Sequence, residues 1–308
     1  METNQNTQEV ARRQGDNKFI IIGTLKKIDA SEISKDGQKA ISLTLTVASK
    51  VGDKVHENKI QLYAKENSKL YKGYVTIKNE YKEGKDRVSI ECSLEKSIFK
   101  SNSGEIVENR KLRGIFCKRV EDEVIKDQVG GILECVPISI TDEIKSDGPT
   151  GRKIVKVIHP GYNNSVHMFD LVLQKEAATE FSRMYTIGCT AQFVVNVNRY
   201  VIIDEEKVKA QAAPLFFGQA LDVMPDASVE SWVNELVIVG GRQPKMQGDG
   251  AYTQAEIIEM QRANELTIEK LRSQNNMPPK NTQPTAFGYD PFVNQDMSAP
   301  MFDNDMPF

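Results

Sequence analysis

The sequence predicts a mainly β protein, with two tandem antiparallel barrels, then one helix, then a disordered acidic tail. Three observations predict this architecture. Short segments that alternate apolar and polar residues recur between residues 18 and 120, with no long helical pattern. A second run of such segments occupies residues 121–240. After residue 274 the composition turns to Asn, Gln, Pro, Met and Asp, with too few clustered apolar residues to offset the entropy of ordering.

The first predicted unit spans residues 17–120 and follows a polar lead-in, residues 1–16, that we expect to be disordered. Its clearest strand is residues 41–47, where isoleucine, leucine and valine alternate with serine and threonine. Such alternation is typical of a half-buried strand. Several short strands of this kind, joined by turns, favour a small closed or nearly closed barrel. The other strands predicted in this unit are residues 19–25, 59–65, 74–78 and 87–91.

The second predicted unit, residues 121–240, repeats this plan. Between its third and fourth strands, residues 176–184 predict a short helix, the element that caps one end of an OB barrel. We therefore predict two tandem OB-like barrels, which share organisation rather than obvious sequence identity. The strands predicted in this unit are residues 130–136, 153–158, 168–173, 191–203 and 233–239.

A linker, a helix and a tail complete the predicted domain organisation. Residues 241–252 are rich in glycine and predict the linker. Thr253, with Glu256 three residues later, forms a capping box that predicts a helix over residues 253–273. The modest apolar face of this helix fits either packing on the body or association with a partner. Residues 274–308 are the predicted disordered acidic tail.

Charge is distributed unevenly along the chain. The whole sequence has 40 basic and 43 acidic residues, for a formal net charge of −3. Residues 276–308 carry one lysine and four aspartates, so the tail accounts for this charge and the rest of the chain is neutral in sum. A neutral body can still carry a basic groove if its acids lie on another face.

Several classes of function find no support in the sequence. It contains no phosphate-binding loop of the Gly-x-x-x-x-Gly-Lys type, no nucleophile elbow and no His-Glu-x-x-His helix, so we expect no enzyme. No apolar run approaches the ~20 residues that span a bilayer, and the N-terminus lacks the apolar core of a signal peptide, so we expect a cytoplasmic protein. The cysteines and histidines lack metal-ligand spacing, which predicts reduced thiols, no metal and no cofactor; they are Cys92, Cys117, Cys135, Cys189, His56, His159 and His167.

Residues 59–65 are predicted to expose cations and an aromatic ring on one sheet face, a combination that suits the phosphates and bases of single-stranded DNA. In residues 59–65, alternation would turn Ile60, Leu62 and Ala64 inward and leave lysines, a glutamine and a tyrosine outside. Each such residue alone is an ordinary half-exposed side chain, and the collective pattern carries the prediction. The candidate DNA-binding residues are Lys59, Gln61, Tyr63, Lys65, Lys69, Tyr71, Lys72, Tyr74, Lys78, Phe116, Lys118, Lys153, Lys156, His159, Tyr162, Arg183, Tyr185, Arg199 and Tyr200.

The sequence ends Asp-Asn-Asp-Met-Pro-Phe, and each part of this motif suits peptide capture. Phe308 offers an apolar anchor, and its carboxylate can pair with a basic residue at the rim of a pocket. Pro307 limits the backbone states that are lost on binding. Asp303 and Asp305 add attraction to a basic surface. Together with Met306, these are the predicted partner-binding residues.

This ending resembles the C-terminal tip of bacterial and phage single-stranded-DNA-binding proteins, in which an acidic cluster precedes an apolar residue, Pro and a final Phe. Asn304 replaces one acid of that pattern, which bears on affinity rather than on the type of motif. The resemblance covers about six residues and the uncompacted style of the tail. It implies a protein that binds and protects single-stranded DNA without strong sequence preference during replication, recombination and repair. It also implies that the tip recruits replication and recombination proteins.

Typical bacterial members of that family have one OB domain before the tail, so a body with two units looks more like a phage version. The host cytoplasm is then its expected location, and a monomer or a homodimer its expected state. Two alternatives remain open from the residues. One is an adaptor whose tail occupies the docking pocket for such tips, and the other is a strand-annealing recombination protein.

Overall fold

The computed structural model describes residues 13–35, 38–101, 103–122, 124–146, 148–203 and 230–273. Strands dominate these residues, which confirms the prediction of a mainly β protein. The strands are β1 (Asn17–Lys35), β2 (Gln38–Val51), β3 (Lys54–Lys65), β4 (Arg87–Lys100), β5 (Ile106–Arg119), β6 (Gln128–Lys145), β7 (Gly148–Pro160), β8 (Val166–Leu173), β9 (Thr190–Ile203) and β10 (Glu230–Lys245). The α-helices are α1 (Lys69–Glu80), α2 (Ala178–Met184) and α3 (Gln254–Ser273).

The strands form one ten-stranded mixed sheet in the order β2-β3-β5-β4-β1-β6-β7-β8-β10-β9. Two further pairings, β1–β2 and β6–β9, connect strands that are not neighbours in this order. The pairings of the first five strands therefore run in a cycle, β1–β2–β3–β5–β4–β1. Those of the last five run in a second cycle, β6–β7–β8–β10–β9–β6. We call these the first and second strand cycles.

The two strand cycles share one connectivity. In each, a helix lies between the third and fourth strands, α1 in the first and α2 in the second. The prediction of purely antiparallel pairing was wrong at β3–β5 and β8–β10, which are parallel because the fifth strand returns beside the third in the same direction. The cycles join through their first strands, β1 and β6, which pair antiparallel from Asn17–Leu133 to Ile22–Gln128.

Alternating side chains explain why the predicted strands form. Along β2, Ile41, Leu43 and Leu45 are fully buried, and the serine and threonines between them stay partly exposed. Each leucine buried in this way stabilises the fold, and truncating one to alanine typically costs about 2–5 kcal/mol. The side-chain period of two thus assigns one face of β2 to the core and the other to the surface.

Helix α1 corrects one sequence prediction, because residues 74–78 were expected to form a strand. The run Tyr-Val-Thr-Ile is rich in aromatic and β-branched residues, which favour strands locally. Tyr74 and Ile77 are three residues apart, so a helix places both against the core. Ser68 caps this helix, its hydroxyl accepting a 3.2 Å hydrogen bond from the Leu70 amide. Tertiary packing therefore outweighs local propensity here.

One continuous core runs through both strand cycles. Phe19 of β1 and Phe193 of β9, among its largest fully buried side chains, belong to the same cluster. Cys92 and Cys135 are buried in this cluster as free thiols. Burial raises the pKa of the Cys92 thiol to about 12. It therefore stays protonated and unreactive at neutral pH.

Helix α3 packs on the body. Tyr252, Ile257 and Met260 bury their side chains against Val136 of β6 and Ile158 of β7. The predicted capping box forms at its start, where the Glu256 carboxylate accepts a 2.7 Å hydrogen bond from the Thr253 amide and the Thr253 hydroxyl accepts one from the Glu256 amide. The strand before it is longer than predicted, since β10 continues to Lys245.

Residues 13–16 are ordered and contact the body, although the sequence predicted a disordered lead-in over residues 1–16, of which residues 1–12 lie outside the described part of the chain. The Arg13 guanidinium donates to the fully buried Glu134 carboxylate, which Lys245 also contacts at 2.8 Å. Burial opposes ionisation of Glu134, but the hydrogen bonds from Arg13 and Lys245 outweigh it and lower its pKa. The Asp16 carbonyl accepts a 2.7 Å hydrogen bond from the Glu134 amide. This segment is therefore part of the folded body.

None of the helices that the structure describes is both long and apolar enough to cross a membrane.

Candidate nucleic-acid interface

Strand β3 presents a row of polar side chains on its outer face. Lys59 and Gln61 are exposed, Tyr63 is 43% exposed and Lys65 is half-buried. The intervening Ile60, Leu62 and Ala64 lie in the core, as predicted from the alternation. Lys59, Gln61, Tyr63 and Lys65 must point outward, because core packing holds the alternate residues of the strand inward.

Neighbouring strands widen this row into a surface. Across β2, Lys59 lies opposite Thr46, Gln61 opposite Thr44 and Tyr63 opposite Ser42. On the other side, Gln61 pairs with Arg113 of β5. Side chains that are directly opposite in a sheet have Cβ atoms about 5 Å apart on one face. We define the β3 face as Ser42, Thr44, Thr46, Lys59, Gln61, Tyr63, Lys65 and Arg113.

The β3 face combines cations, hydroxyls and one exposed aromatic ring. Within the described residues, Lys59 and Lys65 make no ion pair, whereas Arg113 lies 3.7 Å from the Glu95 carboxylate. Unpaired ammonium groups can hold phosphates, and Tyr63 offers a surface on which a base can stack. Farther along β5, past a bulge, Phe116 is 55% exposed and Lys118 is exposed, so they extend the outer surface of this cycle.

The candidates in residues 69–78 lie on helix α1 rather than on a strand. Lys69 and Lys72 are exposed, Tyr71 packs partly against the core, and Lys78 pairs with Glu32 at 2.6 Å. Tyr74 is a correction, because its ring is buried and its hydroxyl donates a 2.9 Å hydrogen bond to the Ile115 carbonyl. Burial raises the pKa of Tyr74 to about 12. This ring packs in the core and is not available for stacking.

Two candidates of the second cycle are also buried and are corrected here. Tyr185 packs between Phe181 and Phe193, and its hydroxyl donates a 2.7 Å hydrogen bond to the Arg242 carbonyl. His159 is fully buried, with Nδ1 2.7 Å from the Glu134 carbonyl oxygen. Burial lowers the pKa of His159 to about 4, so it is neutral at pH 7 and adds no positive charge.

The remaining candidates of the second cycle do not form a face like that of β3. Lys153 pairs with Asp142 at 2.7 Å, and Lys156 lies opposite Asp170 across β7 and β8. Tyr162 and Arg183 are exposed, one in a short turn and the other on α2. Helix α3 covers the outer face of β7 and β8, packing on Ile158 and Met168. The structure therefore concentrates the exposed candidates in the first cycle.

Arg199 and Tyr200 lie where the two strand cycles meet, beside a cleft of about 300 Å³. We call this the junction cleft. The Lys54 ammonium lies 2.7 Å from the Tyr200 hydroxyl and 4.1 Å from the centre of its ring. The cleft is lined by Asp53, Lys54, Val55, Glu57, Tyr200, Val201 and Trp232.

The sequence analysis missed Trp232, which is the only tryptophan in the chain. Trp232 is 50% exposed, and the Arg199 guanidinium lies 5.2 Å from the centre of its ring. A cation at this distance is attracted to the face of an indole ring. The signal was present in the sequence, since Glu230, Ser231 and Asn234 surround this large aromatic residue with polar neighbours.

Arg110 of β5 adds a further cation from the first cycle. Its guanidinium donates to the Asn234 side chain of β10, next to Arg199 across the strand pair. Burial and the neighbouring charge of Arg199 lower the pKa of Arg110 to about 10. Two positive groups are thus held close together at the junction.

The predicted partner-binding tip, residues 303–308, lies outside the described residues. The same holds for the aromatic and acidic stretch at residues 287–292. Within the part of the chain that the structure describes, no three His, Cys, Asp or Glu side chains are grouped so that they could hold a metal ion.

A family model described as YorF matches residues 16–274, which include both strand cycles and α3. The chain belongs to the YorF family. No curated protein is similar enough in sequence to count as a match.

Solved structures with some likeness to this YorF-family chain include the wild-type single-stranded DNA binding protein from Thermus aquaticus. That match has 13% identity and a TM-score of 0.49, and covers 76% of this chain and 96% of the other. A deletion mutant of the same protein matches at 12% identity and a TM-score of 0.47, covering 76% and 97%. The mitochondrial protein Rim1 from S. cerevisiae, also a single-stranded DNA binding protein, matches at 14% identity and a TM-score of 0.24, covering 35% and 98%. Likenesses this remote do not say what this chain binds.

Proposed function

We propose that this chain binds and protects single-stranded DNA without strong sequence preference during DNA replication, recombination and repair. The observation that carries the proposal is the β3 face, where Lys59, Tyr63 and Lys65 stand outward in a row over a buried hydrophobic strand face. Cations in such a row hold the phosphate backbone, and a ring between them stacks with a base of any identity.

Each strand cycle is, in this proposal, an OB-like barrel. The support lies in pairings that return to the first strand, in the parallel pair of third and fifth strands, and in the helix between the third and fourth strands. Barrels of this type bind oligonucleotides on an exposed strand face. The first barrel supplies this face through β2, β3 and β5, whereas α3 packs on β7 and β8, the equivalents of β2 and β3 in the second.

We further propose that residues 303–308 recruit replication and recombination proteins. The support is the chemistry of the motif, in which aspartates precede Met306, Pro307 and Phe308. Proline reduces the entropy lost on binding, and phenylalanine fills a small apolar pocket. An acidic segment of this kind also competes weakly with DNA phosphates for the basic face of its own chain.

Fluorescence polarisation with a labelled oligo-dT tests DNA binding by the full-length chain. We expect binding that weakens as salt increases, because bound phosphates release counterions. The double variant Lys59→Gln/Lys65→Gln should bind more weakly. The slope of log affinity against log salt should also become less steep by about 1.4, because each lost phosphate contact on a single strand accounts for roughly 0.7.

The matched control is Arg262→Gln/Lys270→Gln, which removes two exposed charges from α3, away from the β3 face. This variant should bind oligo-dT like the unmodified chain. Absence of binding even at low salt would rule out the proposal and favour the adaptor. If both double variants lost the same affinity, general charge rather than the β3 face would be responsible.

A further inference from the structure

Each strand cycle contacts the other through several pairs of strands. Strand β4 of the first contacts β8 of the second, and β9 of the second contacts β3 of the first. These contacts border two sites, which we call seats: one lies beside β4, β5, β7 and β8, and the other beside β3, β9 and β10. Helix α3 fills the first seat, where it contacts all four strands.

The second seat contains the junction cleft. Its lining comes from the start of β3, the end of β9 and the start of β10. Among the described residues, no helix covers it. Val55 and Trp232 remain 51% and 50% exposed there. The seat that corresponds to the binding place of α3 is therefore open.

The two seats differ in chemistry. Helix α3 meets an apolar surface that includes Val136 and Ile158. The junction cleft instead carries the rings of Trp232 and Tyr200, together with nearby cations. Asp53 and Glu57 also line it, on the wall that β3 and the turn before it provide. A purely apolar occupant would leave these charged groups without water or a partner, which is costly.

Two cations lie beside the cleft, on β9 and β5, although neither is among the residues that line it. Arg199 lies over Trp232, and the Arg110 guanidinium reaches Asn234 beside it. Like charges at close range repel each other, so an anion between them would be bound favourably. Arginine is suited to this role because its planar guanidinium matches the geometry of a phosphate.

Two buried polar groups lie behind Tyr200, outside the lining of the cleft. His56 lies behind Tyr200, with their ring centres 5.2 Å apart and edge to face. Within the described residues, His56 Nδ1 and the neighbouring Ser49 Oγ are buried without a hydrogen-bond partner. Buried polar atoms without a partner are rare in folded proteins.

We propose that the junction cleft binds one nucleotide of single-stranded DNA, with its base stacked on Trp232 and its phosphate held by Arg199 and Arg110. This inference rests on the proposed function and places a specific subsite of the DNA path between the two strand cycles. The strand then passes from the β3 face to the cleft, since Lys59 and the cleft residue Glu57 belong to the same strand.

Intrinsic fluorescence tests this directly, because Trp232 is the only tryptophan in the chain. A titration of the full-length protein with oligo-dT should change the tryptophan emission, since a stacked base alters the environment of the indole ring. Polarisation of a labelled oligo-dT, measured in parallel, reports total binding regardless of where the DNA lies.

Variants add a second readout. Trp232→Ala should weaken oligo-dT binding about tenfold, within the range for loss of one stacked base, whereas Trp232→Phe should retain most of the affinity. Arg199→Gln should reduce the salt slope by about 0.7, and the charge-matched control Arg262→Gln on α3 should not. Circular dichroism and urea unfolding of each variant show whether it remains folded.

The outcomes separate the two proposals. Tryptophan emission that changes together with polarisation, and a loss of affinity in folded Trp232→Ala, support the cleft as a subsite. Polarisation showing normal binding, with unchanged emission and with Trp232→Ala equal to the unmodified chain, overturns the subsite and leaves DNA binding intact. No binding in either assay overturns both.

Discussion

At the scale of single residues, exposure decides which candidates can touch a ligand. Tyr63, Tyr74 and Tyr185 look alike in sequence, each being a tyrosine among polar and apolar neighbours. The period-two pattern of β3 correctly predicted that Tyr63 faces outward. No local pattern could predict the burial of the other two, because it depends on how α1 and the segment after α2 pack against distant strands.

His159 shows how a buried residue couples to pH. Its Nδ1 donates to the Glu134 carbonyl and its Nε2 accepts from the Asn17 side chain at 3.1 Å, so both ring nitrogens are satisfied in the neutral form. Protonation would break the second hydrogen bond and place a charge in the core. The neutral imidazole thus links β1, β6 and β7.

We predict that this histidine makes stability depend on pH. Its pKa is about 4 in the folded chain, against about 6.5 when unfolded, so the unfolded chain binds the additional proton between these values. The free energy of unfolding should therefore fall by about 3 kcal/mol as the pH drops from about 6.5 to about 4. Urea unfolding at several pH values across this window measures the effect.

The variant His159→Gln isolates this contribution from those of His56 and His167, whose pKa values burial also lowers. Glutamine can donate and accept a hydrogen bond but does not titrate, so the variant should be less stable at neutral pH and show a flatter pH dependence. An equally steep dependence in the variant would assign the effect to the other histidines.

At the scale of elements, the sequence predicted helices α2 and α3 but neither helix α1 nor strand β5. The alternation in residues 41–47 and 59–65 identified β2 and β3, and the capping box identified α3. Helix α1 escaped prediction because its aromatic and β-branched residues favour a strand when tertiary contacts are ignored. The parallel pairs β3–β5 and β8–β10 were not predicted either, since the sequence of a strand does not determine the direction of the strand beside it.

The two strand cycles are joined by the pairing of β1 with β6. At Gly131 of β6 the backbone of β1 approaches so closely that a side chain would not fit. A Cβ atom at Gly131 would lie 2.2 Å from the Lys18 carbonyl oxygen and 2.4 Å from the Phe19 Cα. Both obstructing atoms are backbone, so neither can move without shifting β1. The lack of a side chain at this position is thus a requirement of the junction.

We predict that Gly131→Ala destabilises the protein by about 1–3 kcal/mol or more, the usual cost of forcing extra atoms into a packed region. The control is Gly240→Ala in β10, where an added Cβ meets nothing within 4 Å. Chemical unfolding of both variants measures the difference. Equal stability of the two would show that β1 and β6 can separate at little cost.

At the scale of the whole molecule, long-range contacts determine what remains open. The sequence predicted a repeated β plan and a helix that packs on the body or associates with a partner. It could not predict that α3 occupies only one of two related seats, because that choice depends on contacts between segments far apart in the chain. The place of Trp232 in the cleft could not be predicted for a similar reason, since its neighbours there come from β3, the turn before β3 and β9.

The proposed recruiting motif gives a prediction at this scale. Removing residues 301–308 should leave oligo-dT affinity unchanged or raise it a few-fold at low salt, because two aspartates that compete with phosphates are lost. Polarisation of labelled oligo-dT measures this effect. A marked loss of DNA affinity would contradict the proposal that the β3 face binds DNA and residues 303–308 bind other proteins.

Recruitment itself is tested by co-precipitation of purified replication and recombination proteins with the immobilised full-length chain. Phe308→Ala should abolish capture. Phe292→Ala is the matched control, since Phe292, like Phe308, directly follows a proline, and it should have no effect. Equal capture by both variants would assign recruitment to another segment.

Each strand cycle closes on its first strand, and this closure matters when the protein is concentrated. A sheet with free edges offers unpaired amides and carbonyls to any passing chain, and can grow by adding strands from its neighbours. Here the pairings of β1 with β2 and of β6 with β9 occupy backbone groups that would otherwise be available. Copies of the chain at high concentration therefore offer each other fewer unpaired backbone groups to which strands could add.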